Sequence, residues 1–271
     1  MRRLGLTLLL AGCAGGAPVT VSFEARVGGE PLRCDGSYAG VGAGGATIRP
    51  ADLRMYVHDV RLVLDDGSEE PVTLDEVDAQ SDGLALVDFE DGTGTCETGS
   101  PGTWTSVTGT AAGAARASGI VFKVGVPEDR NHLDAAVAPA PLDQTGMWWS
   151  WSGGYRYLKL DVLTDAVPGY VFHLGATGCD GTPGSGFTCA AGNVAEVRLD
   201  GWTPDRPVVL DVAELLADLD LDAPLAEDDL VPGCMSSRHD PECPAMFAAM
   251  GLALDSGEQT GAPPAFSLGD Q

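Results

Sequence analysis

Positive charge is what this chain has least of: 15 Lys and Arg stand against 40 Asp and Glu, a formal net charge of -25 at pH 7. A surface of that sign repels nucleic acid and has no basic patch for an anionic bilayer, so membrane attachment would have to come from a lipid. Long apolar runs are missing too. The stretch Leu4 to Leu10 is far too short to cross a bilayer, and no later segment does better. No Cys-x-x-Cys occurs, which counts against a zinc or thiolate-copper cluster. Nor is there a Gly-x-Ser-x-Gly, His-Glu-x-x-His, Walker or haem-attachment motif. Nothing supports a catalytic assignment, and a zinc-dependent hydrolase would lack a positioned general base. The acidic stretches Asp218 to Asp222 and Glu227 to Asp229 lack the glycine-bearing spacing of an EF-hand loop, so they read as solvated carboxylates and not as a calcium site.

What is present begins with an export signal. Met1-Arg2-Arg3 leads into the apolar run, and Leu10-Ala11-Gly12-Cys13 matches a bacterial lipobox. Residues 1–12 are therefore expected to be a lipoprotein signal peptide, Cys13 the lipidated residue, and residues 13–18 a Gly/Ala-rich tether. Setting Cys13 aside leaves Cys34, Cys96, Cys179, Cys189, Cys234 and Cys243, an even set that in an oxidising compartment points to disulfides. Cys179 with Cys189 and Cys234 with Cys243 each close a short loop rich in Gly, Pro and Asp, which leaves Cys34 for Cys96.

Alternation of β-branched and aromatic residues dominates the rest. Val19 to Phe23, Met55 to Leu64, Gly119 to Val124, Tyr155 to Leu163, Gly169 to Leu174, Val194 to Leu199 and Pro207 to Val212 read as strands between turn clusters. Helical signals are short: Asp211 with Glu214 predicts a capped turn, and Pro244 to Gly251 a second helix. The pattern predicts an all-β, antiparallel β-sandwich, a single disulfide-stapled domain over residues 19–252. A loosely ordered tail is expected over residues 253–271.

Histidine is scarce enough for each of the four to be weighed. In Val171-Phe172-His173-Leu174-Gly175 the strand period turns His173 away from the face of Phe172 and Leu174. His132 lies in the polar turn Asp129 to Asp134. Brought together, two such imidazoles can bind copper or zinc, with Asn131 or Asp134 orienting one of them, although a satisfied structural histidine is the commoner role. His58 in a strand and His239 in a disulfide loop read as structural. Met147-Trp148-Trp149-Ser150-Trp151 holds three of the five tryptophans. In a strand Trp149 and Trp151 share a face. Core filling explains most such clusters, exposed rings would serve as a platform for sugar, and an indole oxidised to kynurenine would gain donor atoms.

Several blocks in order carry a resemblance: Asp52 to Val57, Leu86 to Asp91, Val124 to Pro127, Asn131 to Asp134, Pro141-Leu142, Met147 to Trp151, Gly154 to Tyr157, Phe172 to Gly175 with Gly178-Cys179, and Gly233 to Ser236 with Cys243 and Gly251-Leu252. Together they resemble the MbnP-like family. The resemblance implies a periplasmic or cell-surface copper protein, lipid-anchored here through Cys13, that takes part in copper uptake, storage or sensing. It implies a di-haem partner of the cytochrome c peroxidase type, which converts a tryptophan to kynurenine. By position, His132 and His173 become copper ligands, and Trp149 or Trp151 the modified residue. Six cysteines in place of the four in the family pattern imply an extra disulfide. The alternative is a disulfide-stapled sandwich that binds carbohydrate or a protein through its Trp cluster.

Overall fold

The computed structural model describes residues 16–270 except 98, 151, 168 and 224–231. Cys13, the signal peptide and Trp151 lie outside the described residues. Two sheets carry the fold. In the first, the strands run in the order Phe266–Leu268, Val208–Asp211, Ala17–Val27, Ser106–Ala111 and Thr73–Leu74. In the second, the order is Ala195–Asp200, Ala117–Val124, Ala46–Leu64, Leu158–Thr164, Tyr170–Leu174 and Gly233–Cys234. Pairing is antiparallel apart from Ala17–Val27 with Val208–Asp211 and Tyr170–Leu174 with Gly233–Cys234, which are parallel. The expected all-β sandwich is therefore present, with mixed sheets.

Period-two alternation explains the core. Val19, Val21, Phe23, Ala25 and Val27 point inward from the first strand. Phe23 meets Phe122 of the second sheet edge-on with centroids 5.5 Å apart, and Phe122 meets Phe266 at 5.8 Å. The three disulfides Cys34–Cys96, Cys179–Cys189 and Cys234–Cys243 are formed. The Asp211 carboxylate caps the helix Val212–Leu215 by accepting from the Ala213 N–H, and Pro244 sits in the first turn of Cys243–Ala249.

Two expected boundaries move. The first strand begins at Ala17, inside the expected tether. The segment after Leu252, expected to be loosely held, is packed: Ala265 and Phe266 are buried, and Phe266–Leu268 pairs with Val208–Asp211. The physical reason is an open sheet edge that the short alternating run Phe266-Ser267-Leu268 can cover, a run hidden in sequence by the Gly and Pro around it.

The same alternation builds the outer face of the second sheet. Leu158, Leu160 and Val162 face the core, so Lys159 and Asp161 face out. Register sets Lys159 opposite His173 on one side and Arg54 on the other, Asp161 opposite Asp52, and Arg54 opposite Asp88. This charged face is nevertheless buried: Asp52, Arg54, Asp88 and His173 all fall at or below 7% exposure. The segment after Asp88, where Ser100 bonds both Asp88 and Glu90, and the turn at Gly146 beside Arg54 cover it.

Candidate metal centre

His173 enters the site from the strand Tyr170–Leu174. Phe172 and Leu174 go into the core, and the imidazole goes to the charged face. Its Nδ1 lies 3.3 Å from Arg156 Nε, which can only donate, so Nδ1 accepts. The proton is thereby assigned to Nε2, which donates to Asp161 Oδ1 at 2.6 Å. Burial pushes the His173 pKa down against the opposing pull of Asp161, keeping the ring neutral. Burial also pushes Asp161 up, but the bonds from His173 and Lys159 outweigh it and hold the carboxyl below its usual range. The chain of contacts continues through Lys159 to Asp52 and on to Arg54.

His132 is placed by a loop. Asn131, 1% exposed, accepts the Tyr155 N–H through Oδ1 at 2.9 Å. That bond fixes the orientation of the amide and turns Nδ2 toward His132 Nε2, 3.3 Å away, so this ring nitrogen accepts. The ring stacks on Phe187 with centroids 4.2 Å apart, and Nε2 lies 3.4 Å from Cys189 Sγ. Phe187 and Cys189 belong to the strand Gly186–Ala191, paired with Thr177–Thr182 in a hairpin pinned by its disulfide. An open cleft beside it is lined by Glu128, Asp129, His132, Leu133, Asp134 and Phe187, among others. Of the two residues expected to orient His132, Asn131 does so, whereas Asp134 accepts the Ala136 N–H and caps its own turn.

A small hairpin, Trp148–Ser150 paired with Gly154–Tyr155, touches both histidine-bearing segments. Its Tyr155 end holds Asn131; a Cβ at Gly154, where φ is +70°, would come within 2.5 Å of the Asn131 amide. Its Trp149 lies 6.3 Å from the His173 ring, between centroids. The indole packs so closely on Gly175 that a Cβ there would lie 2.5 Å from Trp149 Cζ3. Arg156 Cζ sits 5.4 Å over the same indole. Trp148 packs toward the core.

Contacts thus tie both histidines to one tryptophan hairpin, His132 through Asn131 and Tyr155, His173 through Trp149. Among the described residues, His132 with Cys179 and Cys189 forms a set of three ligand-type residues within 4.8 Å of one another. The two sulfurs are bonded to each other and offer no thiolate, so His132 is the donor in that set. His58 is engaged elsewhere, with Nδ1 3.0 Å from the Gly125 carbonyl and its pKa lowered by burial. His239 lies in the turn after Ser237, and Met147 is fully buried in the core. The residues that sequence reasoning missed are Arg156, Asp161, Lys159 and Asp52. The signal for Lys159 and Asp161 was their shared outward phase with His173 along paired strands, whereas Asp52 and Arg156 lay inside resembling blocks with nothing to mark their role.

No curated protein matches the chain. A family model described as MbnP matches residues 16–236. The chain is also similar to the solved structure of MbnP from Methylosinus trichosporium, with 31% identity and a TM-score of 0.83, over 93% of this chain and 98% of that one. With the family pattern running through both sheets and both histidine-bearing segments, the chain belongs to the MbnP family, a copper-associated family.

Proposed function

We propose that this protein is a copper-binding lipoprotein of the bacterial envelope, a binder and not an enzyme, with His132 and His173 as its imidazole donors. The observation that carries the reading is His173, whose Nδ1 is left as an acceptor because Nε2–H rests on Asp161, with His132 tied through Asn131 to the same hairpin. A carboxylate on the far N–H of an imidazole fixes the ligand tautomer and raises its basicity, which is how metal-binding histidines are commonly held. The residues therefore fit a metal ion. Imidazole suits copper, and raw affinity for nitrogen donors favours Cu(II) over Zn(II). Family membership supports the same metal.

Trp149 or Trp151 supplies a third donor after oxidation by a di-haem, cytochrome c peroxidase-like partner. With hydrogen peroxide as oxidant, two equivalents break the indole C2–C3 bond, place an oxygen on each carbon and leave two waters. Hydrolysis of the N-formyl product releases formate and leaves kynurenine, whose aniline nitrogen and ketone can coordinate. Trp149 has the described position beside His173. Lipidation at Cys13 anchors the chain on the periplasmic or cell-surface side of the envelope, in the outer membrane, and the bound copper serves uptake, storage or sensing. No helix among the described residues is long and apolar enough to cross a membrane.

A carbohydrate platform finds less support, because Trp149 is engaged by Arg156 and packed on Gly175 in place of presenting an open ring. The test is elemental analysis and peptide mass spectrometry of protein made with and without the haem partner. Co-expression should raise bound copper and give a kynurenine mass shift in the peptide spanning Trp149 and Trp151. Intact indoles after co-expression would refute the oxidation; absence of copper from both preparations would refute the metal assignment. Fractionation of Cys13→Ala tests the anchor, since the variant should leave the membrane fraction and equal partitioning with wild type would refute lipidation.

A further inference from the structure

Arg156 donates to the nitrogen through which His173 could bind a metal ion. It follows directly on Gly154–Tyr155, so the hairpin that carries Trp149 also delivers it. Its Nε–H points at His173 Nδ1 at 3.3 Å, the nitrogen left as acceptor once Nε2–H is committed to Asp161. One terminal nitrogen, Nη1, donates to the carbonyls of Gly146 and Trp148, each at 3.0 Å. The guanidinium carbon lies 5.4 Å from the centroid of the Trp149 ring. Among the described residues its hydrogen-bond partners are therefore two carbonyls and an imidazole nitrogen, with no carboxylate. The guanidinium is hydrogen-bonded by neutral oxygens and an imidazole lone pair and lies over an indole face, while Asp161 and Asp52 attract it from farther off without a hydrogen bond.

Two consequences follow from elementary chemistry. The Nδ1 lone pair can accept from Arg156 or bind a metal, not both at once, and two cations at that distance repel. The guanidinium must therefore move before His173 can coordinate through this nitrogen. What holds it is in part the indole itself, by cation–π attraction to an intact ring. Oxidative opening of that ring takes away its pyrrole half and leaves an aryl ketone whose smaller π face attracts a cation less strongly.

We propose that Arg156 is an internal cation that keeps the coordinating nitrogen of His173 closed while Trp149 is intact, so that oxidation of Trp149 releases the site as well as supplying a donor. The proposal rests on the copper reading above and explains why an unmodified protein would bind copper weakly even with both histidines in place. It also favours Trp149 as the residue whose oxidation matters.

The experiment uses the full chain produced without any haem partner, so that the indoles are unmodified. Cu(I) and Cu(II) affinities are measured by competition with chromophoric chelators in wild type, Arg156→Gln, Arg156→Lys, Trp149→Leu, His173→Ala and Arg156→Gln/His173→Ala. If the closed arrangement leaves no more than a tenth of the molecules competent, Arg156→Gln binds copper about tenfold or more tightly than wild type. Trp149→Leu gains less, because the carbonyl bonds of Arg156 remain. Arg156→Lys, a flexible cation without the Nε–H fork, falls between wild type and Arg156→Gln. The double variant loses the gain, which ties it to His173. Long-range ¹⁵N spectra of the His173 ring supply a readout without metal: in wild type Nδ1 carries the signature of an unprotonated acceptor, shifted in Arg156→Lys by loss of the bond.

Unchanged or weaker affinity in Arg156→Gln, with binding still lost in His173→Ala, overturns the proposal and leaves the copper site standing. Copper binding that ignores His173→Ala overturns the copper reading itself. If Arg156→Gln fails to fold, Arg156→Lys and the ring spectra decide, and a His173 ring unaffected by Arg156→Lys counts against the contact.

Discussion

The two histidines stand in regions built by opposite means. His173 is set by sheet register on a buried charged face where Asp161, Lys159, Asp52 and Arg54 follow one another in contact. His132 is set by loops beside an open cleft, held by Asn131, by stacking on Phe187 and by the neighbouring disulfide hairpin. The comparison separates two ways of preorganising a ligand. A strand fixes direction through its period, and buried charges fix the tautomer. A loop needs an amide, a ring and a covalent staple to reach comparable order.

If the comparison is right, the strand-built side is the more fragile thermodynamically. Asp52→Ala strips the buried Arg54 and Lys159 of their shared carboxylate, and breaking a buried pair typically costs about 3–5 kcal/mol. Urea unfolding should show that loss for Asp52→Ala and a much smaller one for Asn131→Ala. Equal losses would mean that the charged face is no more a structural unit than the loop.

The two sides should also differ in how removal of a supporting residue reaches the metal. Asp161→Asn keeps the volume of the side chain and loses the charge that holds Nε2–H, and loss of such a partner typically lowers metal affinity about 10- to 100-fold. Asn131→Ala should change it less, because Phe187 and the hairpin still confine the His132 ring while the Nε2 lone pair that Asn131 occupied is freed. The ratio is read by chelator competition. A larger loss in Asn131→Ala would reverse the ranking of the two regions.

A third effect concerns pH at the far end of the charged face. Burial pushes the Asp88 carboxyl up to about 7, against the opposing bonds from Ser100 and the Glu90 N–H. Its unfolded value is about 4, so between those values the folded state holds the extra proton. Stability from this group is full below about pH 4 and declines as pH rises toward about 7. Asp88→Asn should remove that decline, giving a flatter stability profile over this window than wild type. Identical slopes in the two proteins would show that Asp88 is already ionised when folded.

Much of this was legible in the residues, and unevenly so. Alternation located the strand of His173 and the outward phase of its ring, and loop spacing paired Cys179 with Cys189. Period alone could not reveal that Asp52, Arg54, Lys159 and Asp161 are buried. On a sheet face such residues read as solvated, and only the overlying loops, brought there by tertiary contacts, remove the water. The strands Thr177–Thr182 and Gly186–Ala191 were invisible for a different reason: Gly, Thr and Cys carry little hydrophobic signal, and the pair is held by hydrogen bonds and its disulfide. Arg156 was hidden because a guanidinium after a tryptophan hairpin looks like any surface charge until its partners are known.

The most direct test of the central claim is bound copper, by elemental analysis, in wild type, His132→Ala, His173→Ala and His58→Ala, all produced with the haem partner. His58 bonds the Gly125 carbonyl and has no part in the site, so His58→Ala should match wild type while both other variants lose most of their copper. Undiminished copper in His132→Ala and His173→Ala would contradict the account.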